Sequence, residues 1–175
     1  MKTYEFTLKY NLPASESDMD ELVERLGEAG CDDALIGIGL PGRIALEFAR
    51  EADTAFDAIS SAVADVKGTA PKAKLIEATP DLVGLTDVAD LVGCSRQNIR
   101  KIMLASGGRF PPPVHDGKSA LWHLSSVLVW LKESKSYQVE DDLLEVASIN
   151  RQFNVAKEMI AIDQAQRIEI LSLVG

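Results

Sequence analysis

Cysteine and histidine are scarce in this chain, two of each in 175 residues. Cys31 and Cys94 have no paired spacing, and with only His115 and His123 beside them they build neither a zinc site nor a disulfide framework. Reduced, half-buried thiols are expected. Basic residues are also short, 18 against 27 acidic, for a formal charge of −9. A free-standing nucleic-acid binder usually shows the reverse balance. No apolar run approaches membrane-spanning length. The opening MKTYEFTLKY alternates instead of forming the apolar centre of a signal peptide. No membrane partner is expected, and a cytoplasmic location is. No nucleophile, base or carboxylate pair stands in a distinguishing context, so neither catalysis nor a cofactor is expected.

The charge that is present is unevenly placed. Residues 1–80 carry a net −7 and residues 136–175 a net −4, whereas residues 81–135 carry +2. Acidic flanks of this kind limit non-specific DNA binding, and serve equally as a docking surface for a basic protein partner. The positive segment holds the densest pattern, Leu85 to Leu131. Thr86 reads as an N-cap, and Leu85, Val88, Ala89 and Val92 then recur at helical spacing. Gly93 supplies the left-handed stop, and Ser95 caps a second helix at once. On that helix Ile99, Ile102 and Met103 share one face. Arg96, Gln97, Arg100 and Lys101 point outward, with Asn98 near the margin. Such side chains hydrogen-bond base edges and phosphates. Phe110 to His115 and Ala120 to His123 flank the turn sequence Asp116-Gly117-Lys118, which predicts a hairpin. A further helix from Ser125 buries Val127, Leu128, Trp130 and Leu131. Helix, turn, helix, hairpin, helix is the order of a winged helix-turn-helix.

Taken in register, Gly93-Cys94-Ser95-Arg96-Gln97-Asn98-Ile99, Arg109-Phe110-Pro111-Pro112-Pro113-Val114, Gly117, and Trp122 through Val127 to Trp130-Leu131 resemble the AlpA and phage-excisionase branch of the MerR-like DNA-binding domains. The resemblance covers about a quarter of the chain. It implies double-stranded DNA as partner, with Thr86, Ser95, Arg96, Gln97, Asn98, Arg100, Lys101, Arg109, His115, Lys118 and His123 as candidate contacts. One position departs from the pattern. The family's wings place an Arg directly after the Trp, where this chain has His123, and the wing tip sets Asp116 against Lys118. A weaker grip on the backbone is expected, strengthened at low pH if His123 protonates.

The first half reads differently. Tyr4, Phe6, Leu8 and Tyr10 alternate with polar residues, the period of a half-buried strand. Ser17 or Asp18 caps a helix over Leu22, Val23 and Leu26. Residues 34–40 and 43–49 form a hairpin about Pro41-Gly42. A second helix starts at Asp53 with Ala55, Phe56, Ile59, Ala62, Val63 and Val66 apolar, and residues 73–78 make a fourth strand. The order β-α-β-β-α-β is ferredoxin-like. Gly37-Ile-Gly-Leu-Pro-Gly42 matches the dinucleotide-binding string letter for letter, but that motif must open a helix. Here it leads into a strand, so nucleotide binding is rejected.

Beyond about Val139 the chain to Leu173 has neither Gly nor Pro and reads as one long helix or two. Val146, Ile149, Phe153, Ala156 and Ile160 follow 3-4-3-4 spacing. That stripe packs either within the chain or, as preferred on length, in a homodimer. Removal of the chain after Ser136 is then expected to leave a folded monomer. The expectation is an α+β protein of three parts: a ferredoxin-like domain (1–80), a winged helix-turn-helix domain (81–136) and a C-terminal helical dimerisation segment (137–175). Its expected function is that of a sequence-specific DNA-binding transcriptional regulator, and the resemblance implies an association with phage or other mobile elements. The rival is an antitoxin or other interaction protein, whose N-terminal domain binds a partner while the winged domain autoregulates.

Overall fold

The alternation in the first strand decides the architecture. In a computed structural model, which describes residues 1–134 and 137–175, Tyr4, Phe6, Leu8 and Tyr10 of β1 (Lys2–Asn11) are all buried on one face. The same period governs β3 (Arg43–Ala52), where Ile44, Leu46 and Phe48 line up across from them. Phe6 and Phe48 stack with ring centres 5.1 Å apart. With β2 (Ala34–Ile38) and β4 (Lys74–Thr79) they form an antiparallel sheet of order β2-β3-β1-β4. Helices α1 (Met19–Leu26) and α2 (Ala55–Thr69) bury Leu22, Leu26, Ala58, Ile59, Ala62 and Val66 on its inner face. The protein is α+β, and this half has the ferredoxin-like order.

Local chemistry sets the boundaries. The Asp18 carboxylate caps α1 by accepting the Glu21 amide at 3.0 Å, and the Thr54 hydroxyl caps α2 by accepting that of Asp57 at 3.1 Å. Gly42, at φ +77°, completes the turn between β2 and β3 that the decoy string was expected to make. Phe56 departs from its expected place and is exposed. Arg50, on the inner face of β3, holds Asp33 and Asp65 at 2.8 Å each and donates to the Gly30 carbonyl. These acceptors hold its guanidinium charged well above the usual range, against the cost of burial.

A second core follows. Short β5 (Leu82–Val83) leads into α3 (Leu85–Leu91) and α4 (Arg96–Ala105); β6 (Trp122–His123) then pairs back on β5 and leads into α5 (Leu124–Glu133). Phe110 meets Trp122 and Trp130 edge-on at 6.2 and 5.1 Å between ring centres, and Trp122 Nε1 donates to the Pro111 carbonyl at 3.0 Å. Val127, Leu128 and Leu131 are fully buried beneath them.

The C-terminal stretch resolves into two helices, α6 (Asp141–Met159) and α7 (Arg167–Val174). Helix α6 belongs to both cores. Val146, Ile149 and Phe153 pack on the sheet half, while Leu143, Leu144 and Ala147 pack on the second core. The first three residues of the expected dimer stripe are therefore used inside the chain, and only Ala156 and Ile160 remain exposed. This packing also contradicts the expected folded truncation after Ser136. That cut, and the expected domain boundary at 136, fall on a residue outside the described ones.

Candidate nucleic-acid interface

Ser95 starts α4 where the sequence places it: its Oγ accepts the Asn98 amide at 3.2 Å, after Gly93 has turned the chain at φ +72°. Ile99 is fully buried, and Ile102 and Met103 are partly so. That inward stripe leaves Arg96, Gln97, Asn98, Arg100 and Lys101 all exposed on the other side. Two elements beside α4 complete a cleft. The start of α3 contributes Gly84, Thr86 and Asp87, and the loop after His115 contributes Gly117, Lys118 and Ser119. The cleft is about 590 Å³, and Arg96, Arg100 and Lys118 line it together. Three cations against the single carboxylate of Asp87 make its floor positive in a chain of net charge −9.

Thr86 stands in this cleft, but not as a cap. Gly84 takes the N-cap position of α3, and its amide donates to the Asp87 carboxylate at 2.8 Å. Thr86 falls within the first turn with its side chain exposed. Asn98 is less free than its exposure suggests, because its amide nitrogen donates to the Tyr137 hydroxyl. That contact ties the outer face of α4 to the segment entering α6.

The expected hairpin is reduced to one bridge, His115 with Leu121, where the Leu121 amide donates to the His115 carbonyl at 3.0 Å. His115 is exposed, and its ring lies over Gly117, where an added Cβ would come within 2.8 Å of Nε2. A larger residue there would have to turn the exposed His115 ring aside. The longer pairing is between β6 and β5, with Leu82 opposite His123 and Val83 opposite Trp122.

His123 and Arg109 depart from their expected places. His123 lies apart from the cleft, its Nδ1 2.7 Å from Oδ1 of the fully buried Asp81, and its side chain is only 17% exposed. The other oxygen of Asp81 accepts from Asn154 Nδ2 at 2.8 Å, so both oxygens of the carboxylate are engaged. His123 joins two parts of the chain, and the expected low-pH contact of its ring with a DNA backbone loses its geometric basis. Arg109 sits past the far end of α4, donating from Nε to the Ser106 carbonyl at 2.9 Å. It lines a separate cavity with Trp130 and Glu133.

Asp81 and Asn154 are the polar residues that sequence reasoning missed. Asn154 closes the β4 edge: its Oδ1 accepts the Ala78 amide and its Nδ2 donates to the Ala78 carbonyl, both at 2.8 Å. Asn150, one turn earlier, donates to the Pro80 carbonyl at 3.2 Å. Two asparagines at i and i+4 beside an apolar stripe were the available signal. Among the described residues no cluster of His, Cys, Asp and Glu is fit to hold a metal. No helix among them is long and apolar enough to cross a membrane. No family model matches the chain, and no curated protein and no solved structure matches it.

Proposed function

We propose that this chain is a sequence-specific, double-stranded DNA-binding regulator of the winged helix-turn-helix type. The observation that carries the reading is the cleft in which Arg96, Arg100 and Lys118 meet, beside an α4 face that also exposes Gln97 and Lys101. In this reading α4 enters the major groove, with Arg96 and Arg100 on base edges and Lys118 on a phosphate. The acidic remainder of the chain suppresses binding elsewhere, since few cations release few counterions. Regulation is by occupancy of the site.

The test is a mobility-shift titration of wild type and Arg96→Ala/Arg100→Ala on a duplex chosen by in vitro selection. Each bidentate base contact contributes about 1–3 kcal/mol, so the double variant should bind at least tenfold more weakly. Both side chains are exposed, so its circular dichroism should match wild type. Equal affinity of the two proteins would overturn the assignment.

A further inference from the structure

We propose that β2 is a copy-to-copy interface, at which two chains pair their Ala34–Ile38 edges antiparallel about a two-fold through Ile36. The two edges of the sheet are treated differently. Helix α6 runs along β4, and Asn154 takes up the outward amide and carbonyl of Ala78. The β2 edge pairs only with β3, and no strand among the described residues pairs with its other side. An open apolar edge is a template for another strand.

The register identifies what that edge offers. The Ala49 amide donates to the Asp33 carbonyl, so the hydrogen-bonded pairs of β2 with β3 fall at Asp33, Leu35 and Gly37. The amides and carbonyls of Ala34, Ile36 and Ile38 therefore point away from the sheet. A two-fold at Ile36 sets Ala34 opposite Ile38 of the second copy and Ile36 opposite its own equivalent. Every outward donor then meets an outward acceptor.

The side chains fit the same axis. Leu35 is 71% exposed and lies directly opposite Gly37 of the second copy, where there is no Cβ. A Cβ built at Gly37 meets nothing nearer than the Ala45 carbonyl at 3.9 Å, so the space above it is open to a leucine from outside. Ile38, half exposed, meets Ala34 on the inner face. The charge pattern suits a second copy of this acidic chain. No charged residue occurs from Ala34 to Gly42, and the axis brings exposed Asp32 alongside the other copy's turn, which ends in exposed Arg43. The glycine string that is useless to a nucleotide thus acquires a role.

This inference stands independently of the DNA-binding reading, but it has a consequence for it. The axis is perpendicular to the sheet, so like faces stay together. Leu91 of α3 lines a cavity with Thr7, Leu35 and Glu47 of the sheet face opposite α1 and α2. Both winged modules therefore lie on one side of the joined sheet. A five-residue edge is at the small end of interfaces, so the dimer is reversible.

Sedimentation analysis of the full chain at roughly 50 μM tests it, a concentration that populates a micromolar dimer. Wild type should sediment at twice the 19.0 kDa chain mass and dissociate on dilution. Ile38→Pro removes an outward amide that β3 does not use, and Leu35→Glu sets two like charges on a diagonal of the seam. Both variants should remain monomeric, with unchanged circular dichroism. A monomeric wild type overturns the proposal, as does a dimer that both variants leave intact.

Discussion

Replacing Asn154 with Leu should loosen the joint between the two cores more than any surface change. Its side chain makes three buried hydrogen bonds of 2.8 Å: two to the edge of β4 at Ala78 and one to the Asp81 carboxylate. Leucine keeps the volume, excludes water and satisfies none of them. A buried polar group left without a partner costs about 1–3 kcal/mol, so the amide, the carbonyl and the carboxylate oxygen together lose about 3–9 kcal/mol. Apolar burial of the new side chain returns about 1.5 kcal/mol. The net loss, about 1.5–7.5 kcal/mol, is a large part of the roughly 5–15 kcal/mol that holds a typical domain. Urea unfolding reads it with two probes. Trp122 and Trp130 are the only tryptophans and both sit in the second core, while far-UV circular dichroism reports the whole chain. Wild type should give coincident transitions, and Asn154→Leu an earlier dichroism midpoint and separated curves. A variant within about 0.5 kcal/mol of wild type, a shift typical of surface sites, would refute the reasoning.

The C-terminal helices should respond oppositely to truncation. Helix α7 buries no residue, so ending the chain at Met159 should change the urea midpoint negligibly, whereas ending it at Glu140 removes Val146, Ala147, Asn150 and Asn154 from two cores and should prevent cooperative unfolding. The two thiols should differ in alkylation: Cys31 is 1% exposed and burial raises its pKa to about 11, so Cys94 alone should react with iodoacetamide in the native protein near pH 8. The neutral Cys31 thiol is favoured in the folded state, so its contribution is intact below its unfolded value near 9 and lost as pH rises from there through about 11. Thermal melts across that window should show a falling midpoint, part of which Cys31→Ala removes.

The ferredoxin-like half was legible because period-two alternation and one apolar helix stripe each have a single sheet face to serve. The inward face of α4 was legible for the same reason. Helix α6 was misread because an apolar 3-4 stripe looks alike whether its partner is another chain or its own. Asn150 and Asn154 flank that stripe with buried polar groups, explained by the Pro80 carbonyl, the β4 edge and the Asp81 carboxylate. His123 was misplaced because β5 is two residues long and carries no periodicity. Without that strand, a residue alternating with buried Trp122 is expected to face solvent, whereas Asp81 draws its ring inward. Thr86 was read as a cap because a threonine ahead of Asp-Val-Ala fits the pattern. The observed cap uses the Gly84 amide with the Asp87 carboxylate, which starts the helix two residues sooner.

In vitro selection from a random duplex pool, at about 0.1 M salt where non-specific binding by so acidic a chain is weak, bears most directly on the central claim. Wild type should enrich one short motif, and Arg96→Ala/Arg100→Ala should not. A pool that stays random after repeated rounds with the wild-type protein would contradict the DNA-binding account.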